Sequence, residues 1–333
     1  MKKLISFLVV CFYFISGPGF ATKELVFFGD SLSDNGNLYK KLKVIPKSPP
    51  YYEGRFSNGP VWAEQVAEYF NSHYRITSQN YAIGGATVVK RSIFKGAPPY
   101  DLKLEVNTYL KSVSDNENKD TTYVLLMGAN DYLDEKWKSE DKLVKEVIKE
   151  TVKQINRLIA IGGKDFIIID VPDIGKAPYS LEKSTTYQTR MHNLSLKHHN
   201  ATIEMIKTLK KDHPNLRFIF QDMYTMYNQA LSDIDYFNEK YNVKISNLTE
   251  PCWKGGYRFT EISDPLEEEL QLTVSNSMSL QEAYDVGVNQ SFGETPCTNQ
   301  DEYMFWDKIH PTYATHKIIA GVFIDNLESV LVD

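Results

Sequence analysis

The chain has 333 residues, 42% of them hydrophobic and 24% charged, with no low-complexity tract or internal repeat, as expected of one large globular domain. Its net charge of −6 argues against nucleic acid as a partner and against purely electrostatic binding to an anionic membrane.

Met1 to Lys3 carry two positive side chains, Leu4 to Ile15 are almost wholly apolar, and Gly19-Phe20-Ala21 offers small residues where signal peptidase reads. The pattern predicts a secretory leader over residues 1–21, cleaved after Ala21, and hence a secreted or periplasmic protein. The apolar run is too short for an anchor, because spanning a bilayer takes about 20 residues. Loss of Lys2 and Lys3 takes the charge to −8, and loss of Cys11 leaves Cys252 and Cys297. In an exported chain these two most simply form one disulfide, with two free thiols as the alternative.

Residues 22–333 read as a single domain. Leu25, Val26, Phe27 and Phe28 form an uninterrupted apolar run, as in a parallel strand buried on both faces. The run breaks at Gly29, so Ser31 is expected at the carboxyl end of a strand, where open α/β sheets place their sites. Pro46, Pro49 and Pro50, followed by Tyr51 and Tyr52, predict an extended surface loop. Pro60 opens a helix to Asn71, with Val61, Trp62, Val66, Ala67 and Phe70 largely on one face.

Further strands are expected near Tyr74 to Ala82, at Thr121 to Met127, at Phe166 to Asp170 and at Leu216 to Phe220. Between them, helices are expected over Leu102 to Leu110, Lys138 to Ile161 ending at Gly162-Gly163, and Ser184 to Lys211. Strands alternating with helices imply a parallel sheet of about five strands, covered on both faces, with right-handed crossovers. Residues 232–303 are polar and hold both remaining cysteines. They are too long for a plain connection and are expected to form an insertion or lid, closed by the disulfide. A last helix runs from Thr312 to Leu331.

Acyl transfer through serine needs a nucleophile, a base, a group that holds the base, and donors for the oxyanion. Asp307 precedes His310 by three residues, a spacing that lets the carboxylate reach Nδ1 while Nε2 faces Ser31. Ser31 can offer its own N–H as an oxyanion donor, with Gly85 and the side-chain amide of Asn130 as further candidates. Each element alone has an ordinary structural explanation: a polar turn for Gly-Asp-Ser, a helix-entry turn for Gly84-Gly85, a local pair for Asp-x-x-His. His192, His198 and His199 share one predicted helix and are expected at its surface. No metal or cofactor is implied.

Four blocks occur together, in order: Gly-Asp-Ser-Leu at 29–32, Asn-Tyr-Ala-Ile-Gly-Gly-Ala at 80–86, Gly-Ala-Asn-Asp at 128–131, and Asp307-x-x-His310-Pro-Thr. Over nearly the whole mature chain they resemble the GDSL family of lipases and esterases, also called SGNH hydrolases. The Gly-Arg-Phe-Ser-Asn-Gly-Pro-Val-Trp string at 54–62 resembles a segment typical of that family. The resemblance implies a three-layer α/β/α sandwich, with Ser31 as nucleophile, Asp307 and His310 completing the triad, and Ser31, Gly85 and Asn130 as oxyanion donors.

Within the family, the leader, the cysteine pair and the ending resemble secreted bacterial lysophospholipase A enzymes and glycerophospholipid:cholesterol acyltransferases. That implies a lysophospholipid or phospholipid substrate, an alcohol or sterol as acyl acceptor, and transient contact with a lipid surface. A carbohydrate O-acetyl esterase or a non-catalytic binding protein on the same fold are the alternatives. Tyr51, Tyr52, Trp253, Phe259 and Phe305 are candidates to line an acyl groove.

Overall fold

Parallel strands without polar alternation must be buried on both sides, and the central strand meets that demand. In β1 (Glu24–Gly29) every residue after Glu24 is buried. The computed structural model describes residues 22–43, 45–89, 100–113, 120–134, 138–255 and 295–332. With β2 (Thr77–Asn80), β3 (Thr121–Leu126), β4 (Asp165–Ile169) and β5 (Arg217–Gln221), β1 forms a five-stranded sheet in the order β2-β1-β3-β4-β5. All four pairings are parallel.

The pleat divides the strand side chains between two cores. Val26, Phe28, Tyr123, Leu125, Phe166 and Ile168 face one cluster. It is covered by α3 (Leu102–Ser112), α5 (Glu140–Ala160) and α7 (Thr185–Asp212), following the short α1 (Asn37–Leu42) and α4 (Ala129–Asp134) in the chain. Leu25, Phe27, Val124, Leu126, Ile167 and Ile169 face the other. That side is covered by α2 (Trp62–Tyr74), α8 (Met223–Ser232), α9 (Ile234–Tyr241) and α10 (Tyr313–Val332). The expected three-layer α/β/α sandwich is therefore present. Among the described residues no helix is long and apolar enough to cross a membrane.

Element ends follow local chemistry. The predicted second strand is shorter at its start because Tyr74 still belongs to α2, which ends where Arg75 turns left-handed with φ 58°. The Ser184 hydroxyl accepts from the Tyr187 amide and opens α7, as an N-cap should. After the short α6 (Pro178–Leu181) and these long helices, the stretch expected to be an insertion proves partly regular. It holds α9 and β6 (Asn247–Pro251), which pairs in parallel with β7 (Tyr303–Phe305).

Cys252 and Cys297 are joined in a disulfide beside that pair. The backbone of Cys252 donates to Phe305 (3.0 Å) and that of Trp253 to Trp306 (2.6 Å), so the cross-linked strand leads straight to Asp307. Residues 256–294, on which the lid expectation and Phe259 depend, lie outside the described residues, as do residues 1–21 of the expected leader. Thr22 donates to the carbonyl of Leu331 (3.2 Å), which makes the head of the sheet and the end of α10 neighbours.

Candidate active site

The site begins where β1 stops. Beyond Gly29 the chain turns through Asp30 and Ser31, and the Asp30 carbonyl accepts from the amides of Ser33 and Asp34, both at 3.0 Å. Asp34 closes the turn: its carboxylate accepts from Gly36 (2.8 Å), Asn37 (2.5 Å), Leu38 (3.1 Å) and Gly84 (2.7 Å). The Asn80 side chain donates to the Ser33 carbonyl (2.7 Å), and Ile83 to the Gly29 carbonyl (3.0 Å). The first two sequence blocks are thus one hydrogen-bonded unit.

His310 reaches this unit from the far end of the chain. Its Nε2 lies 2.8 Å from Ser31 Oγ, and its Nδ1 lies 2.8 Å from Asp307 Oδ2 and 3.0 Å from Oδ1. The amides of Ile309 and His310 both donate to Asp307 Oδ1 at 2.8 Å, which fixes the carboxylate inside its own turn. Burial opposes the charge on Asp307, but the neighbouring His310 and these donors together hold its pKa below the ordinary value. An ionised carboxylate can only accept, so Nδ1 carries the hydrogen and Nε2 is left to accept from the Ser31 hydroxyl. The geometry can carry a proton from Ser31 to His310.

Two further groups hold the base, and both lie in segments to which sequence reasoning assigned no catalytic part. Tyr51 is buried, and its hydroxyl donates to Asp307 Oδ2 at 2.8 Å. It supports the carboxylate, and the proline loop that delivers it is packed inward at this point. Phe56 lies against the His310 ring, with centroids 4.9 Å apart. Its neighbours clamp the tail: Ser57 donates to the Pro311 carbonyl (2.9 Å), Asn58 accepts from the Tyr313 amide (2.7 Å), and Trp62 N–H reaches His316 Nδ1 (3.2 Å). The signal available in the sequence was the 54–62 string itself.

For the oxyanion, Gly84 and Gly85 now separate. The Gly84 amide is committed to Asp34, and a Cβ there would sit 2.3 Å from Phe56. Gly85 has φ 74°, a left-handed conformation suited to glycine, in the turn just beyond. Asn130 is buried on the wall shared with Ser31, and its amide donates to the Ala86 carbonyl at 2.9 Å, tying the third block to the second. Next to it, Asp131 accepts from Val88 (2.8 Å) and Val89 (2.9 Å).

Asp30 and Asp34 are buried beneath the turn, and loss of solvent pushes each carboxyl up to about 6, with backbone donors opposing. Glu105 accepts from the Gly29 amide (2.9 Å), and burial raises its carboxyl well above the ordinary range.

Other expectations settle differently. His198 is not at the surface: it is buried, with Nδ1 2.5 Å from the Tyr132 hydroxyl. His192 pairs with Asp173 (2.8 Å) and His199 with Asp170 (2.7 Å). His199, Asp170 and Asp222 are close enough together to suggest a metal site. However, Asp170 accepts from Met223 and Tyr224, and Asp222 from Thr225, so these carboxylates start α8. Of the groove candidates, Trp253 is fully buried in the core, Tyr52 is exposed under Arg55, and Phe305 lines a cleft that opens at Ser31.

The family model described as GDSL-like lipase/acylhydrolase matches residues 25–323. A phosphatidylcholine-sterol acyltransferase of Aeromonas hydrophila is 30% identical over 93% of this chain and 92% of its own length. A thermolabile hemolysin of Vibrio parahaemolyticus is 27% identical over 91% of this chain, which spans only 63% of that protein. A solved phospholipase A1 from Streptomyces albidoflavus is 12% identical with TM-score 0.39, covering 93% of this chain and 99% of that one.

Proposed function

The chain belongs to the GDSL-like lipase/acylhydrolase family, and we propose that it is an exported serine esterase that removes the acyl chain of lysophospholipids. The observation that carries this reading is the unbroken relay from Ser31 Oγ through His310 to Asp307, with 2.8 Å at each step. Export is supported by the leader pattern before Thr22 and by the disulfide between Cys252 and Cys297.

In this mechanism Ser31 Oγ attacks the ester carbonyl carbon as its proton passes to His310 Nε2. Negative charge gathers on the carbonyl oxygen, facing the N–H groups of Ser31 and Gly85 and the amide of Asn130. Collapse breaks the bond to the alcohol, whose oxygen takes the proton from Nε2 and leaves an acyl-serine. Water then attacks the acyl carbon, gives a proton to Nε2, and the serine departs with that proton as the acid is released. An alcohol in place of water would yield a new ester. The relative named for transfer to sterol supports testing that second outcome, and supports phospholipid as a further donor.

The test is one panel: lysophosphatidylcholine, phosphatidylcholine and an acetylated oligosaccharide, each with and without cholesterol, for wild type and Ser31→Ala. The expected result is fatty acid from lysophosphatidylcholine with wild type only, while Ser31→Ala keeps the native far-UV spectrum. Turnover of the acetylated sugar alone, or activity retained by Ser31→Ala, overturns the reading.

A further inference from the structure

A carboxyl on the buried face of a helix is costly unless it satisfies a neighbour. Helix α3 buries Leu102, Glu105, Val106 and Tyr109, spaced along one helical face, and Glu105 is the charged residue among them. Its side chain lies in the interior, 1% exposed. Oε2 accepts from the Gly29 amide at 2.9 Å, while Oε1 is buried with no hydrogen-bond partner.

The β1–β2 ladder shows why an acceptor is needed there. Tyr81 donates to the Phe27 carbonyl (2.9 Å) and Ile83 to the Gly29 carbonyl (3.0 Å), the even spacing of a parallel pair. In that pattern the N–H of Gly29 would go to the Tyr81 carbonyl. It goes to Glu105 instead, one residue beyond the end of β2 at Asn80, so a side chain from α3 takes the place of a strand carbonyl. Gly29 is confined toward β3 as well, since a Cβ there would sit 2.8 Å from the Leu126 carbonyl.

This junction lies at the root of two turns. Gly29 precedes Ser31 by two residues and Ile83 precedes Gly85 by two, so the separation of the turns is set where Gly29, Ile83 and Glu105 meet. Burial raises the Glu105 carboxyl well above the ordinary range, and the nearby Asp30 and Asp34 carboxyls push the same way against the Gly29 and Ile83 amides. Glu105 is therefore a neutral acceptor, and the junction uses its reach rather than its charge.

We propose that Glu105 is a positioning residue for the reaction: by holding the Gly29 amide it keeps the Ser31 turn in register with the Gly84-Gly85 turn, so that both present their N–H groups to one carbonyl oxygen. It touches no reacting atom. This rests on the esterase reading and adds to it a residue outside the four sequence blocks.

The experiment measures kcat and KM on lysophosphatidylcholine for wild type, Glu105→Leu and Glu105→Gln, with each rate divided by the amount of Ser31 that a fluorophosphonate labels at completion. That division removes unfolded protein, so a role in stability alone would leave kcat unchanged. Glu105→Leu fills a similar volume without an acceptor, and kcat is expected to fall about 100-fold with KM within about threefold, as for a reacting group displaced by about 1 Å. Glu105→Gln returns an acceptor of the same length and should recover about tenfold of that loss, the worth of one neutral hydrogen bond. Should Glu105→Leu not fold, Glu105→Asp, whose carboxyl is withdrawn by one methylene, is expected to show the same fall in kcat. A kcat near the wild-type value in the variant that lacks reach overturns the proposal. No recovery in Glu105→Gln overturns the neutral acceptor. A wild type that the fluorophosphonate does not label refutes the esterase reading instead, which keeps the two failures apart.

Discussion

The turn at Asp307–His310 and the junction of β4 with α7 and α8 are built from the same parts and do different things. Both hold a buried aspartate against a histidine Nδ1, at 2.8 Å for Asp307–His310 and 2.7 Å for Asp170–His199. At the first, the second ring nitrogen faces the Ser31 hydroxyl, and both Asp307 oxygens serve His310 and its turn. At the second, the remaining Asp170 oxygen accepts from the amides of Met223 and Tyr224 and starts α8.

Their ionisation diverges accordingly. Burial pushes Asp170 up to about 6, with His199 pulling the other way. Asp307 is buried too, yet it is held below its ordinary value by His310 and its N–H donors. An Asp–His pair is thus a common structural device, and it becomes a proton relay only when a third group completes it.

The contrast should be broken most severely at the base. His310→Ala is expected to lower kcat/KM on lysophosphatidylcholine by about 10⁵, with an unchanged far-UV spectrum. A loss below about tenfold would mean that another group takes the serine proton. Asp307→Asn keeps the shape but reverses the hydrogen-bond preference at Nδ1, and kcat should fall about 10⁴-fold with little change in KM. Equal losses for Asp307→Asn and Asp170→Asn would erase the distinction between the two pairs.

Asp170→Asn tests the other half of the comparison. It should leave kcat/KM within about threefold and lower stability by about 1–2 kcal/mol in denaturant unfolding, as expected for weakening a buried network. The effect confined to acid pH lies one residue from His199. Burial lowers the His198 pKa to about 3, so the native chain keeps it neutral while the unfolded chain takes up a proton below about 6.5. Stability present above that pH is lost as pH falls toward about 3, by up to about 1.4 kcal/mol per unit. His198→Gln should shallow that acid slope by close to one proton between pH 6 and 5, measured by urea titration at each pH. An unchanged slope would place a proton on native His198.

The sheet and its long helices were legible because their patterns are local: apolar runs of strand length, helical periodicity, and caps at Ser184 and Gly162-Gly163. Ser31, Asp307 and His310, which the structure brings together, were legible because each sits in a short block beside a strand end. Tyr51 and Phe56 were not read as supports of the base. Their contacts with Asp307 and His310 span about 250 residues of chain, and nothing in a proline loop announces which way an aromatic ring will turn. His198 was misplaced for a similar reason, since its side of α7 is decided by Tyr132 arriving from α4. The regular part of 232–303 was hidden because β6 has only five residues and finds its partner, β7, beyond the disulfide-closed loop.

The most direct measurement is the rate at which a fluorophosphonate modifies the protein, with the modified residue identified by peptide mass. Single-site labelling of Ser31 in wild type, slowed at least a thousandfold in His310→Ala, is the result expected if an imidazole from the tail activates a hydroxyl from the head. Labelling elsewhere, or at equal rates in both proteins, would contradict it.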